Sequence, residues 1–454
     1  MSERFRSGDD RLDAVFGGGL PANALNMIIG LPGSGKTILA EQFMFHNATP
    51  QRPGVFLSTV SEPLEKVLRY GQSLDFFDAE AIGTSVFFDD LGRVLNAGGL
   101  AAVLAHVRAL ITERGPGVIV IDSFKALSTY ATDAQAFRQF LHELAGILTA
   151  VPTNTLWVGE YARAETATAP EFAVADAIVS LTTRREAERA IRHIEVLKLR
   201  GTGFMSGEHA YRIAQDGLHV FPRLAVALAV EPYDARSERI SSGIPAIDQM
   251  LADGYWSGAS TMVAGPSGSG KTLMGLHFIF NGATSGQPGI IATLQENPIQ
   301  LERIANGFRW SLSNESVELM HRLPVDLYLD EWFYDLLDVI DRTNAKRLFI
   351  DSLGDLRRAS VDELRFREYL YSLLQRCTEQ QISVMMSQET PGPFGVPHLS
   401  DNVILLQLVA QGTEIRRALT VLKTRASRHE PDVREFKITA DGIVLGEPLS
   451  NFAV

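Results

Sequence analysis

Short apolar runs alternate along the chain with segments that have the character of helices. The runs are nearly continuous in valine, isoleucine and leucine, which is typical of strands buried on both faces of a parallel sheet. Helices are predicted over Lys36–Asn47 and Lys271–Asn281, each shortly after such a run. Strands that alternate with helices predict a doubly wound α/β architecture. The predicted strands are Leu25–Gly30, Val55–Thr59, Val118–Ile121, Ser260–Gly265, Ile290–Leu294 and Leu348–Ile350.

This pattern occurs twice in the chain. The segment Gly8–Ala48 aligns without gaps to Gly243–Ala283 at an offset of 235 residues, and 14 of the 41 positions are identical. Unrelated segments of average composition would share about two or three. Shorter matches continue towards the end of each half. The chain is therefore predicted to contain two homologous α/β domains, residues 1–230 and 231–454.

Composition and charge narrow the class of protein. Of the 454 residues, 45% are hydrophobic and 21% are charged, which excludes a disordered, collagen-like or coiled-coil chain. The net charge of −12 offers no general attraction to nucleic acid or to an anionic membrane. The single cysteine, Cys377, excludes an intramolecular disulfide. The N-terminus is polar and no apolar run approaches the roughly 20 residues of a spanning helix, so we expect a cytoplasmic protein with no membrane partner.

Two phosphate-binding loops carry the clearest chemistry in the sequence. The pattern G-x-x-x-x-G-K-[ST] follows a predicted strand and opens a predicted helix in each half. Its glycines let main-chain N–H groups face phosphates, its lysine reaches the β- and γ-phosphates, and its threonine binds Mg²⁺. We therefore expect ATP with Mg²⁺ at both sites. The predicted nucleotide-binding residues are Gly30, Gly33, Ser34, Gly35, Lys36 and Thr37, and Gly265, Gly268, Ser269, Gly270, Lys271 and Thr272.

An aspartate at the end of a later apolar strand completes the predicted metal site of each half. Asp122 follows the run Val118–Ile121, and Asp351 follows Leu348–Ile350. A carboxylate in this position is typical of a Walker-B aspartate, which holds Mg²⁺. The predicted metal ligands are Thr37 and Asp122 in the first half, and Thr272 and Asp351 in the second.

Hydrolysis also needs a carboxylate that orients the attacking water, and the strand after the P-loop helix is where we look for it. Glu296 follows that strand in the second half. An alignment on Pro63 and Pro298 places Ser61 opposite Glu296, with Glu62 one residue later. Glu296 and Glu62 are the candidate catalytic acids, and the alternative for both is an acid at the start of a helix.

A Lys-x-Arg pair recurs near the end of each half on an apolar strand. The pairs are Lys198 with Arg200 and Lys423 with Arg425, and strand alternation places both cations of a pair on one face. P-loop ATPases use cations to stabilise the charge of the transition state, often from a neighbouring subunit. The alternative is a solvated strand face, but the recurrence in both halves favours function.

These features resemble the KaiC-like group of RecA-related ATPases over nearly the whole chain. The resemblance rests on the duplicated P-loops, on Ile-Asp-Ser in both halves, and on the segments VLKLRGT and VREFKITADGI. It implies two tandem RecA-like domains, each with a mostly parallel twisted sheet flanked by helices. It also implies a homohexamer with ATP between subunits, where Lys198, Arg200, Lys423 and Arg425 reach the neighbour's nucleotide, and an unidentified regulatory protein partner.

The sequence departs from this family at its catalytic acids and its phosphorylation site. The family carries a Glu-Glu pair after the second strand of each domain, whereas this chain has Gln295-Glu296 and the shifted Glu62. Where the family autophosphorylates an adjacent Ser-Thr pair, this chain has Pro397 and His398, with Ser400 nearby. We therefore expect a nucleotide-gated signalling or regulatory ATPase.

Three alternatives remain open at this stage. An autokinase of the KaiC type could use another acceptor, such as Ser400. A RecA-like DNA repair or recombination ATPase would need basic DNA-binding loops, for which Arg184-Arg185 and Arg357-Arg358 are the local candidates. A non-catalytic scaffold held together by ATP is the third, and the missing glutamates favour it for the first half.

Overall fold

The computed structural model describes residues 4–59, 64–186, 189–224, 238–325, 327–360, 362–389, 399–411 and 413–449. Contacts within the chain separate it into two compact units, Met1–Val226 and Ala227–Val454. Each unit contains one large sheet flanked by helices, and each is described by itself.

The first unit begins with a small two-stranded ribbon and continues into the alternating strands and helices of the main sheet. Short 3₁₀ turns at Ala79–Ala81, Phe124–Tyr130 and Arg163–Ala167 lie in its loops. Its elements are β1 (Arg4–Phe5), α1 (Asp10–Val15), β2 (Leu20–Pro21), β3 (Leu25–Gly30), α2 (Lys36–Asn47), β4 (Gly54–Ser58), α3 (Leu64–Gly71), β5 (Val86–Asp90), α4 (Leu91–Arg114), β6 (Val118–Asp122), α5 (Ala134–Thr149), β7 (Asn154–Gly159), α6 (Glu171–Val174), β8 (Ala177–Glu186), β9 (Arg189–Leu199), β10 (His209–Ala214) and β11 (Gly217–Phe221).

The second unit repeats this order of elements. Within the described residues, a helix takes the place of the 3₁₀ turn after the strand that carries Asp351, and the short helix α6 has no counterpart. Its elements are β12 (Arg239–Ile240), α7 (Pro245–Met250), β13 (Tyr255–Trp256), β14 (Ser260–Ala264), α8 (Lys271–Thr284), β15 (Gly289–Thr293), α9 (Pro298–Gly307), β16 (Val317–His321), α10 (Leu329–Thr343), β17 (Arg347–Asp351), α11 (Leu353–Ala359), α12 (Glu363–Glu379), β18 (Ser383–Gln388), β19 (Asn402–Gln411), β20 (Glu414–Lys423), β21 (Arg434–Thr439) and β22 (Gly442–Pro448).

The two main sheets have the same topology, with nine strands each within the described residues. The first sheet has the order β11-β10-β9-β8-β3-β7-β6-β4-β5, and the second has β22-β21-β20-β19-β14-β18-β17-β15-β16. The strands from β8 to β5 are parallel, as are those from β19 to β16, and the remaining strands extend each sheet in antiparallel pairs. The predicted α/β fold with tandem, mostly parallel sheets is confirmed.

The strands predicted from apolar runs form the buried centre of each sheet. Every residue of β3 and β4, and of their counterparts β14 and β15, is buried. The observed ends differ from the predicted ends by one residue at most sites, and the second P-loop helix extends to Thr284. Burial of both faces explains why these strands lack the polar alternation of a half-exposed sheet.

Helix α4 corrects the expectation that no segment is long and apolar enough to cross a membrane. Leu91–Arg114 meets that description by length and composition alone. Its backbone is not helical at Gly98 and Gly99, where φ is −158° and 61°. The helix buries Val103 and Val107 within the same apolar cluster as β6 and β7. In this structure, α4 is therefore one of the helices that cover the sheet.

The P-loop helix of each unit is tied to the last strand of its sheet by one side-chain hydrogen bond. In the first unit, Gln42 Oε1 accepts the N–H of Leu218 at 2.9 Å. In the second unit, His277 Nε2 accepts the N–H of Ile443 at 3.2 Å. Burial lowers the pKa of His277 to about 4, so the ring is neutral and can accept this bond at neutral pH.

We predict that His277 makes the second unit lose stability in acid. The folded state keeps the pKa near 4 whereas the unfolded value is about 6.5, so stability is unchanged above pH 6.5 and falls as the pH drops from 6.5 to 4. The loss is at most about 3 kcal/mol. Urea unfolding followed by the fluorescence of Trp310, whose ring lies 4.7 Å from that of His277, measures it.

The matched control is His277→Gln, because glutamine accepts the same bond in the first unit without titrating. We expect His277→Gln to flatten the pH dependence between pH 6.5 and 4. An equal pH dependence in wild type and variant would contradict the assignment.

Candidate nucleotide-binding sites

The first P-loop joins the carboxyl end of β3 to the first turn of α2. Gly33 and Gly35 have φ values of 77° and 85°, a region that glycine adopts without strain. A Cβ at Gly30 would lie 2.2 Å from the carbonyl oxygen of Leu181, so no larger residue fits beside β8. The loop therefore aims main-chain N–H groups and the positive end of α2 at one point.

The second P-loop has the same backbone course between β14 and α8. Gly268 and Gly270 have φ values of 75° and 107°. The side chains of Ser34 and Ser269, at matching places in the two loops, are both buried. All twelve predicted P-loop residues thus lie at the carboxyl edge of a parallel sheet, where α/β proteins bind ligands.

Each P-loop lysine is held by carbonyl oxygens of its own loop. Lys36 Nζ donates to Leu31 O at 3.0 Å, and Lys271 Nζ donates to Gly265 O and Pro266 O, each at 2.9 Å. Burial lowers the pKa of Lys36, while the charges of Glu160 and Asp122 act in the opposite direction. An anionic ligand would stabilise this desolvated cation, which is the electrostatic basis for phosphate binding.

The predicted metal ligands are brought together in both units. Thr37 Oγ1 donates to Asp122 Oδ2 at 2.7 Å, and Thr272 Oγ1 donates to Asp351 Oδ2 at 2.7 Å. Mg²⁺ prefers oxygen ligands and commonly uses one or two carboxylates together with substrate phosphates. A hydroxyl beside a carboxylate next to the phosphate-binding loop fits that ion. The structure shows no group of three or more His, Cys, Asp or Glu that could hold a metal among its described residues.

The two aspartates differ in their surroundings. Asp351 is buried, and Ser387 donates a hydrogen bond to its second oxygen. Burial raises the pKa of Asp351, and the bonds from Ser387 and Thr272 oppose that change. The strand register places Val158, which has no hydroxyl, at the matching position beside Asp122.

A cavity of about 690 Å³ adjoins the first P-loop. Its wall includes Lys36, Thr37 and Asp122, and also Glu160, which follows β7 directly. Residues of α3, including Tyr70, form the other side. Most of the predicted phosphate ligands of the first unit, and both of its predicted metal ligands, therefore face one common space.

Glu296 lies at the same sheet edge as Asp351 but on a different strand. It follows β15 by three residues, and β15 pairs with β17 so that Thr293 lies opposite Asp351. The N–H of Glu296 donates to Thr293 Oγ1 at 3.2 Å. The alternative role for Glu296 was to cap the next helix. That cap is Asn297, whose side chain accepts the N–H of Ile299. Glu62 lies outside the described residues.

The Lys-x-Arg pairs lie at the opposite, amino-terminal edge of each sheet. Lys198 pairs in register with Ile178, which lies beside Met27 of β3, so about 10 Å of strand separates it from Gly30. Lys198 Nζ donates to Phe172 O at 3.1 Å, and Arg200 forms an ion pair with Asp176 at 3.3 Å.

The second pair repeats this arrangement in its own unit. Lys423 Nζ donates to Ser400 O at 2.6 Å, and Arg425 pairs with Asp401 at 3.5 Å. Lys423 is in register with Val403, which lies beside Met262 of β14. Neither pair lies beside the P-loop of its own unit.

Comparison with known proteins identifies the family. A family model described as "ATPase: KaiC" matches residues 5–225 and 240–450, one match in each half. The circadian clock protein KaiC3 of Synechocystis sp. (strain ATCC 27184 / PCC 6803 / Kazusa) is 30% identical over 99% of this chain and 93% of its own length. The chain belongs to the KaiC family.

Other curated relatives in the KaiC family match over a similar extent. The circadian clock oscillator protein KaiC of Rippkaea orientalis (strain PCC 8801 / RF-1) is 27% identical over 99% of this chain and 90% of its own length. The KaiC of Synechococcus elongatus (strain ATCC 33912 / PCC 7942 / FACHB-805) is 26% identical with the same coverage. The tandem RecA-like P-loop ATPase architecture of the KaiC family is thus present in this chain, and the family uses ATP with a divalent metal.

Two acids at the sites were missed in the sequence. Glu160 follows β7 and Glu389 follows β18, and their charges raise the pKa of Lys36 and Lys271, respectively. A signal was available, because these glutamates are 229 residues apart, the same offset that relates Asp122 to Asp351. The strand β7 carries no motif of its own, so its place between the P-loop and Asp122 becomes visible only from the sheet order.

We predict that Lys36→Ala and Lys271→Ala each weaken nucleotide binding at one site and leave the other site intact. Each removes a cation from a site that holds several phosphate charges, at a cost of about 1.5–3 kcal/mol per charge-assisted hydrogen bond. Binding stoichiometry measured by isothermal titration with ATP and Mg²⁺ tests this. Two nucleotides per chain at wild-type affinity in both single variants would contradict the two-site assignment.

Proposed function

We propose that this chain is an ATP-hydrolysing, nucleotide-gated signalling or regulatory ATPase that works as a homohexamer in the cytoplasm. The observation that carries the proposal is the hydrogen bond from the P-loop threonine to the strand-end aspartate, present in both units at 2.7 Å. Two such pairs beside two phosphate-binding loops support two sites for ATP with Mg²⁺. The metal, when bound, neutralises phosphate charge. The residues that would hold it are Thr37 and Asp122 in the first unit, and Thr272 and Asp351 in the second.

The position of the Lys-x-Arg pairs supports assembly into a ring. Each pair lies at the edge of the sheet opposite to the P-loop of its own unit, and in the proposed ring Arg200 and Arg425 would reach a nucleotide on another subunit. A contact between the amino edge of one sheet and the carboxyl edge of the next is head-to-tail, and such contacts close into rings when the rotation permits. The cations would then stabilise transition-state charge across the interface.

The autokinase alternative has weaker support in this structure. Ser400 is fully buried just before β19. Its hydroxyl would have to become exposed to meet a γ-phosphate. Pro397 and His398, which replace the family's Ser-Thr pair, lie outside the described residues.

The DNA-binding alternative is weakened at three of its four local candidates. Arg184 pairs with Glu208, Arg357 pairs with Glu363, and Arg358 pairs with Asp355. Cations that are neutralised within the fold contribute little to phosphate-backbone binding. We propose a protein as the regulatory partner, because the chain as a whole is acidic.

We predict that ATP with Mg²⁺ converts the chain into a hexamer, because each nucleotide would be held by two subunits. Light scattering coupled to size-exclusion chromatography with and without ATP·Mg²⁺ measures this. The double variant Lys36→Ala/Lys271→Ala is the control and is expected to remain in the nucleotide-free state of assembly. A monomer at saturating ATP·Mg²⁺ would be incompatible with the ring.

We predict that Glu296→Gln removes most hydrolysis in the second unit and preserves ATP binding. Losses of order 10²-fold are typical when a positioned acid or base is removed. The measurement is phosphate release, and Glu302→Gln, in the helix that follows Glu296, is the matched control. Phosphate release that is unchanged in Glu296→Gln but lost in Glu62→Gln would reverse the assignment.

We predict that incubation with γ-labelled ATP leaves the chain unphosphorylated on serine and threonine. Phosphoryl transfer needs a hydroxyl in line with the γ-phosphate and a base that takes its proton. Peptide mapping after incubation tests this prediction. Stoichiometric phosphoserine at Ser400 that disappears in Ser400→Ala would establish the autokinase instead.

A further inference from the structure

In each unit, a glutamate that has no role so far follows the strand between the P-loop strand and the strand that ends in the metal-binding aspartate. In the first sheet, β7 lies between β3, which ends in the P-loop, and β6, which ends in Asp122. Gly159 of β7 is in register with Ile29, so the next residue, Glu160, is level with Gly30. The main chain of Glu160 therefore lies where the phosphate-binding and metal-binding residues converge.

The second sheet repeats this placement. There β18 lies between β14 and β17, and Gln388 is in register with Ala264. A main-chain hydrogen bond joins the two strands at this point, because the N–H of Gly265 donates to Gln388 O at 3.0 Å. Glu389 is therefore level with Gly265, as Glu160 is with Gly30. An acid therefore recurs at the same point of the sheet in two diverged units.

The side chain of Glu160 faces the ligand space. Glu160 is exposed to solvent and lines the same cavity as Lys36, Thr37 and Asp122. Its main-chain carbonyl is fixed by Lys125 Nζ at 2.9 Å, and the same ammonium binds Glu165 at 2.7 Å. The backbone is thus anchored while the carboxylate projects towards the P-loop lysine.

Electrostatics agrees with this geometry. Among the charges that raise the pKa of Lys36, Glu160 has the largest effect, and Glu389 has the largest effect on Lys271. When a triphosphate takes the lysine, the carboxylate is left facing the γ-phosphate. A carboxylate there would accept a hydrogen bond from a water molecule between it and the γ-phosphate.

Other acids near the first site fit this role less well. Glu41 in α2 also lines the cavity but is buried, and its counterpart in the second unit is Leu276. Glu62 lies outside the described residues and therefore has no described position at this site. Of the described glutamates that line this cavity, Glu160 is the one that follows the strand between β3 and β6.

We propose that Glu160 is the carboxylate that orients the attacking water in the first unit, whereas Glu296 keeps that role in the second unit and Glu389 shares only the position of Glu160. This inference rests on the proposed ATPase function. The oxygen of the oriented water forms a bond to the γ-phosphorus while the bond from that phosphorus to the β,γ-bridging oxygen breaks. ADP leaves with the bridging oxygen, and the proton of the water passes through the carboxylate to the released phosphate.

The test uses the full chain with Lys271→Ala, so that binding and turnover report on the first unit. Three chains are compared: this background alone, the background with Glu160→Gln, and the background with Glu143→Gln. Glu143→Gln is the matched control because Glu143 is a partly exposed glutamate of α5 in the same unit and does not line the cavity. Each chain is measured for single-turnover phosphate release and for its affinities for ATP and ADP.

If Glu160 orients the water, Glu160→Gln reduces phosphate release about 10²-fold. It also tightens ATP binding several-fold relative to ADP, because a carboxylate that faced the γ-phosphate has been neutralised. ADP affinity stays at the background value, which shows that the site is folded. Glu143→Gln changes neither release nor the ratio of the two affinities.

Two results would overturn the inference. The first is phosphate release in Glu160→Gln equal to that of the background. The second is an equal fall in ATP and ADP affinity, which indicates that Glu160 only supports the loop. If the background chain itself releases no phosphate, hydrolysis by the first unit fails; the ATP-to-ADP affinity ratio then decides the inference, and an unchanged ratio overturns it.

Discussion

The parallel pairing of β3, β7 and β6 is the constraint on which the first nucleotide site depends, and β14, β18 and β17 repeat it in the second unit. Parallel strands end at one edge, so the P-loop, Asp122 and Glu160 meet there although they are distant in sequence. All three strands are buried on nearly every residue, so a slip in register would expose apolar side chains and separate the site residues.

The Lys-x-Arg cations lie at the edge of the sheet where the parallel strands begin. Strand β9 returns antiparallel to β8, so Lys198 and Arg200 arrive where the parallel strands begin. Asp176 and Phe172, just before β8, hold them in place. Each unit therefore presents a phosphate-binding edge and a cationic edge. This polarity supports a head-to-tail assembly in which the phosphate-binding edge of one subunit receives cations from the cationic edge of the next.

Much of this arrangement could be predicted from local sequence, because the decisive signals are local. The P-loops, the strand-end aspartates and the buried strands each depend on a few consecutive residues. Glu160 and Glu389 depend on strand order, which no short motif encodes. The roles of Gln42 and His277 were also hidden, since each accepts a hydrogen bond from a residue more than 160 positions away. The catalytic acid after β4 stays a prediction, because Glu62 is outside the described residues.

The measurement that tests the account most directly is subunit mixing between two inactive chains. One chain carries Lys36→Ala and Lys271→Ala, and the other carries Arg200→Ala and Arg425→Ala. If cations act across subunit contacts, an intact P-loop of the second chain meets intact arginines of the first. The account predicts that the mixture hydrolyses ATP faster than the sum of the two parents. A mixture no more active than that sum, although mixed assemblies form, would contradict it.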